Sequence, residues 1–182
     1  MKRTLDLIFS AIALLVFSLP IILIISCIKV FYKHPIFFKQ IRIGLNKQPF
    51  KILKFQTLVD GKPTKCGAIL RRTGLDELAQ FINVAKGEMS IVGPRALTEY
   101  DIVRLGWDSH FYNKRWDVKP GISGLAQLYG GQSKKTSWFW DQKYLDKNTL
   151  ALDVLIILIS FLMNLFGKRK IRQSIWNNKT MK

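Results

Sequence analysis

Leu7-Ile-Phe-Ser-Ala-Ile-Ala-Leu-Leu-Val-Phe-Ser-Leu-Pro-Ile-Ile-Leu-Ile-Ile-Ser-Cys-Ile28 is an uncharged run of 22 residues near the start of a 182-residue chain. At ~1.5 Å per residue, a straight helix of that length reaches roughly across a ~30 Å hydrocarbon core. Its length, and the lack of a small-x-small pattern behind it, argue against a cleaved signal peptide. Ser18, Leu19 and Pro20 fall near its middle. Pro20 lacks an N–H and clashes with the preceding turn, so a break or sharp kink is expected there. Both flanks are basic, with Lys2 and Arg3 before the run and Lys29, Lys33 and Lys39 after it. Basic flanks pull both ends toward the cytoplasm. A helix–break–helix that enters one leaflet and returns satisfies both features, whereas a proline-kinked span satisfies the length. On these residues alone the two readings stand level.

The whole chain carries 29 Lys+Arg against 12 Asp+Glu, a formal charge of +17. Such an excess repels itself unless an anionic surface or ligand is near, and lipid headgroups, phosphorylated substrates and nucleic acid all fit. With 48% hydrophobic residues, 12 Phe and 5 Trp, the mixture favours a membrane surface carrying anionic lipids. No nucleic-acid reading module or base-stacking motif is present, so nucleic acid is not expected as a partner. Cys27 lies in the apolar run and Cys66 in a polar stretch, and no structural disulfide is expected. His34 and His110 lack zinc-ligand spacing. The length allows one modest domain plus membrane-contacting pieces, divided as 1–33 and 34–182.

Beyond the apolar run, residues 37–43 and 50–55 alternate apolar and polar across Gly44 to Pro49 and read as a β-hairpin. Asp60 to Gly67 reads as a loop. Leu75 to Ala85 reads as a helix with Thr73 as N-cap, an apolar face of Leu75, Leu78, Phe81, Ile82 and Ala85, and a stop at Lys86-Gly87. Gly93-Pro94 and Pro120-Gly121 are turn signals. Leu150 to Phe166 is apolar apart from Asp153, and its uncharged part is short for a span. A helix lying in the membrane interface fits it, with Trp138, Trp140 and Trp176 at headgroup depth and Lys168-Arg169-Lys170 on lipid phosphates. A buried core helix fits equally well.

The chemistry concentrates in Arg71-Arg72-Thr73-Gly74-Leu75-Asp76-Glu77-Leu78-Ala79-Gln80. Two adjacent carboxylates in the first turn of a helix ordinarily do no more than offset its dipole. In an electropositive setting, one carboxylate can attack phosphorus while the other binds a metal or handles a proton. Mg²⁺ is held by one or two carboxylates plus substrate phosphates.

The run Leu75 to Val84, continued by Gly87-Glu88-Met89-Ser90-Ile91-Val92-Gly93-Pro94-Arg95, resembles the bacterial sugar transferase family of monotopic polyprenyl-phosphate phosphoglycosyl transferases. Lys54-Phe55-Gln56-Thr57, Pro120-Gly121-Ile122-Ser123-Gly124, Ala126-Gln127 and the segment around Ser18 extend the likeness from Lys2 to about Leu158, in the minimal catalytic form. The resemblance implies an α+β, membrane-associated monotopic fold: a re-entrant helix–break–helix over 1–33 with Ser18 and Pro20 at the break, a small β-hairpin, and interfacial amphipathic helices near 138–176. It implies transfer of a phosphosugar from a nucleotide-sugar donor, typically a UDP-sugar, to a polyprenyl phosphate acceptor such as undecaprenyl phosphate, at the cytoplasmic face of the bacterial inner membrane. Asp76 would be the nucleophile and a ligand of Mg²⁺, and Glu77 its assistant. Arg71, Arg95, Lys54 and Gln127 would contact substrate, and a homo-oligomer is left open.

The sequence departs from the family pattern at Gln56, Ala96 and Gly131, where Arg, Pro and Arg are usual. Leu19 separates Ser18 from Pro20, and Ala79 replaces a proline after the carboxylates. Two lost cations leave a second reading open, a catalytically degraded relative that binds lipid carrier or partner enzymes.

Overall fold

The computed structural model describes residues 2–129 and 133–166. The apolar run forms two helices, α1 (Lys2–Val16) and α2 (Ser18–Cys27), the second continued by a π-turn over Ile28–Tyr32. They are bent by 61° about Phe17, one residue before the expected break. Pro20 falls in the first turn of α2, where a missing N–H costs the helix least. Lys33, in the left-handed region at φ 52°, turns the chain out of the helical segment. Among the described residues no single helix is long and apolar enough to cross a membrane, and the bent pair qualifies only when taken together.

The hairpin forms as read. Strands β1 (Phe37–Ile43) and β2 (Pro49–Phe55) pair antiparallel from Phe37 opposite Phe55 to Ile43 opposite Pro49. The short pair β3 (Leu58–Val59) and β4 (Lys62–Pro63) follows, and then the first departure from expectation. The expected loop over Asp60 to Gly67 gives way at Lys65 to helix α3 (Lys65–Thr73). Thr64 caps α3 by accepting the Gly67 N–H, and Gly74, at φ 76°, ends it. Thr73 is therefore the last residue of one helix and not the N-cap of the next. Its hydroxyl donates back to the Ile69 and Leu70 carbonyls. The expected helix over 75–85 divides into a 3-10 turn at Leu75–Ala79 and α4 (Gln80–Lys86), ended by Gly87 in the left-handed region.

Strand β5 (Ser90–Val92), helix α5 (Glu99–Leu105), a 3-10 segment over His110–Asp117, strand β6 (Gly121–Ser123) and helices α6 (Leu125–Leu128), α7 (Lys134–Asp146) and α8 (Leu150–Phe166) complete an α+β fold. β5 and β6 pair in parallel, with Ser90 opposite Gly121. That pairing presses the two turn motifs together. A Cβ at Gly121 would lie 2.1 Å from the Gly93 nitrogen, so only glycine admits this backbone approach.

Polar contacts tie α1 to the domain. Asp6 is buried and accepts from the Ser90 hydroxyl and the Ile91 N–H, each at 3.0 Å. Arg3 donates to the Val84 and Ala85 carbonyls at the end of α4, at 2.5 and 2.8 Å. Lys2 pairs with Asp153 of α8 and donates to the Tyr144 hydroxyl. The far side of the bent pair is apolar and bare, with Leu15 and Phe31 each 75% exposed. One side of α8 belongs to the core, with Ile156 and Met163 buried, while Leu155, Leu158 and Phe161 are exposed. Trp138 packs among Trp107, Phe111 and Tyr112, and Trp140 stacks on Tyr129. Trp176 and the basic cluster at 168–170 lie outside the described residues.

Candidate active site

A cleft opens between the hairpin, the 75–79 turn and the paired glycine motifs. It is lined by Arg42, Ile52, Lys54, Glu77, Gln80 and Arg95, and also by Gly121, Ile122 and Gln127. Three cations and one carboxylate thus face one space, the charge balance of a polyanion site.

Lys54 reaches it from β2, whose alternation buries Leu53 and Phe55 on the core side. Its ammonium donates to Glu77 Oε1 at 2.6 Å. The strand is held by Asn83 of α4, fully buried, which accepts the Leu53 N–H at 2.9 Å and donates to the Lys51 carbonyl at 2.8 Å. The same amide donates to Glu88.

Asp76, next to Glu77 in the 75–79 turn, is buried. Burial raises its pKa above the ordinary carboxylate range and repulsion from Glu77 adds to this, while Lys54, a backbone hydrogen bond and Arg71 pull it back. A carboxylate held thus is poorly solvated, which favours attack on an electrophile when it is ionised.

The structure brings Lys54, Glu77, Arg95 and Gln127 to the cleft, with Asp76 beside it. Arg71 stands apart: it is exposed on the last turn of α3, is not among the lining residues, and reaches Asp76 only through its field. Ser18 and Pro20 lie at the bend, in α2. Gln56, where the family pattern has arginine, is not in the cleft lining; its side chain turns onto its own loop and donates to the Leu58 carbonyl at 2.6 Å. Ala96 is buried and lines the cleft next to Arg95. Gly131 lies outside the described residues.

Three residues of the site escape the sequence reading. Gln80 is a buried lining residue, and Arg42 enters from β1. Arg115, from the 110–117 segment, acts from behind. It is buried, pairs with Asp141 of α7 at 2.9 Å, lies over the Trp107 and Trp116 rings, and donates to the Arg95 carbonyl at 2.6 Å. It fixes the backbone from which Arg95 projects. Isolated tryptophans on either side of a lone arginine were the only local signal.

Asp76 and Glu77 supply hard oxygen donors suited to Mg²⁺, and a cation beside them relieves their mutual repulsion. No group of three or more His, Cys, Asp or Glu among the described residues is placed to hold a metal alone. A cation bound by this pair would take its remaining ligands from substrate phosphate and water.

The family model for bacterial sugar transferases matches residues 1–167. The chain is 33% identical over 178 residues to EpsL of Bacillus subtilis, an uncharacterized sugar transferase, covering 88% of this chain and 85% of that one. Identity to the exopolysaccharide production protein ExoY of Rhizobium meliloti is 32% over 187 residues, covering 86% and 81%. Identity to the UDP-glucose:undecaprenyl-phosphate glucose-1-phosphate transferase of Klebsiella pneumoniae is 33% over 190 residues, covering 92% of this chain but only 40% of that protein.

Proposed function

Because the chain belongs to the bacterial sugar transferase family, we propose that it moves a phosphosugar from a UDP-sugar to undecaprenyl phosphate, with release of UMP, through a covalent intermediate on Asp76. The observation that carries this reading is the Asp76–Glu77 pair beside a cleft faced by Lys54, Arg42 and Arg95. Relatives named as UDP-sugar transferases to undecaprenyl phosphate support the choice of substrates.

In the first half-reaction an Asp76 carboxylate oxygen bonds to the sugar-bearing phosphorus. The bond from that phosphorus to the bridging oxygen breaks, and its electron pair leaves with UMP. In the second, an oxygen of the acceptor phosphate attacks the same phosphorus and frees the Asp76 carboxylate. Lys54 holds Glu77 in place and offsets its charge near Asp76, and Arg95 faces the diphosphate. Asp76, with Glu77 nearby, would hold Mg²⁺, which when bound neutralises diphosphate charge.

The bent α1–α2 pair enters and leaves the cytoplasmic leaflet of the inner membrane, and the exposed apolar side of α8 lies along its surface. The 61° bend, the bare apolar residues and the basic flanks support this placement. Asp76 then meets a lipid-borne phosphate without either substrate leaving its own phase.

The test is UMP release from a panel of UDP-sugars with undecaprenyl phosphate and Mg²⁺. Turnover with at least one donor is expected, together with its loss, by at least a thousandfold, in Asp76→Asn. Release by Asp76→Asn at the wild-type rate would overturn the covalent reading.

A further inference from the structure

Arg42 is a second, half-buried guanidinium in the cleft that the proposed chemistry above leaves without a task. It stands on β1 opposite Phe50, its side chain 15% exposed. One Nη donates to the Ala96 carbonyl at 3.1 Å and the other to Gln40 at 2.6 Å, whereas its buried Nε has no partner. The nearest carboxylate, Asp101 at 3.6 Å, is already engaged by the Thr98 hydroxyl and by Arg104.

Across from it, Arg95 has no carboxylate partner among the described residues. The two guanidiniums repel, and this repulsion adds to burial in holding the Arg42 pKa below its ordinary value. Yet Arg42 cannot swing away cheaply, and the backbone that carries the exposed Arg95 side chain is held in place. Arg42 is tied to the Ala96 carbonyl, and Arg115 holds the Arg95 carbonyl next to it. Two like charges held near each other are stabilised by an anion between them, and guanidinium forks match phosphate oxygens.

The cations of the cleft fall into two sets: Lys54, paired with Glu77 next to Asp76, and Arg42 with Arg95. A diphosphate has two matching parts, the phosphorus that is attacked and the phosphate that departs.

We infer that Arg42 and Arg95 together clamp the departing, nucleotide-side phosphate of the donor. This rests on the transferase reading and assigns the leaving-group end of that same site. As the phosphorus–oxygen bond breaks, the bridging oxygen keeps the electron pair and becomes a terminal oxygen of the nucleoside monophosphate. That phosphate gains one negative charge and no proton is needed. The clamp stabilises the charge where it accumulates.

The probes are uridine monophosphate and inorganic pyrophosphate, titrated by calorimetry into the full chain and its variants in detergent. Wild type should bind both. Arg42→Gln should weaken both at least tenfold. Arg42→Lys, which keeps the charge but not the fork, should melt with the wild type and still bind uridine monophosphate at least threefold more weakly. Wild-type affinity in Arg42→Lys and Arg42→Gln, or no binding of either probe by wild type, overturns the clamp. Arg42-dependent binding in a chain that turns over no donor would defeat the transferase reading alone. Turnover with Arg42-independent binding would defeat the clamp alone.

Discussion

At the scale of single residues, the site trades stability for reactivity. The raised pKa of Asp76 means that the unfolded chain gives up this proton at lower pH than the folded one. As pH climbs from the ordinary carboxylate value through the folded value, the unfolded state loses its proton first and stability falls; below that window the cost vanishes. Asp76→Asn removes a charge that burial disfavours. It should melt no lower than wild type at neutral pH, with the difference shrinking toward pH 4, while UMP release is lost. A melting series from pH 4 to 8 checks this, and a variant less stable than wild type at pH 7 would contradict it. Asp76, Glu77, Lys54 and Arg95 were legible because they sit in contiguous motifs. Arg42 and Gln80 were not, since their places depend on contacts far along the chain, such as Arg42 with Ala96, 54 residues away.

At the scale of elements, the alternation of residues 37–43 and 50–55 around a turn gave the hairpin nearly to the residue, because strand period and turn chemistry agree. Helix α3 was hidden by Gly67, which reads as a loop residue. Its lack of a side chain serves packing: a Cβ there would lie 2.1 Å from the Thr57 carbonyl oxygen, so glycine lets the helix seat against the hairpin exit. Gly74 then moved the helix boundary from Thr73 to the residue beyond, which sequence spacing alone could not separate from an N-cap. The 110–117 segment, α7 and the Arg95 turn are joined by Arg115 and Asp141, both buried. Removing one partner strands the other charge, so Arg115→Ala should cost about 3–5 kcal/mol in denaturant unfolding. Replacing both by apolar residues of similar volume should restore most of that loss but leave Arg95 less well placed. The readout is KM for the donor, expected to stay raised in the refolded double variant.

At the scale of the whole molecule, charge and apolar surface act together. Leu15, Leu19 and Ile22 of the bent pair and Leu158 and Phe161 of α8 are exposed, and the chain carries +17. Binding to vesicles should rise with anionic lipid and weaken with salt. Leu19→Glu should reduce it at least tenfold, since burying one such side chain contributes about 1.5–3 kcal/mol. Unchanged sedimentation with vesicles would refute a lipid role for this surface. In a background with Cys27 and Cys66 changed to serine, a cysteine at the exposed Thr4 should label only from the cytoplasmic side. Periplasmic labelling would replace the re-entrant reading by a span. The tethering of α1 also sets an order on biosynthesis. Lys2 and Asp6 leave the ribosome before their partners: Asp6 must wait 84 residues for Ser90, and Lys2 must wait 151 for Asp153. At about 5–20 residues per second that is a delay of several seconds or more. For most of it the apolar pair is complete and its docking partners do not exist, so its bare face needs shelter before the domain that tethers it has folded.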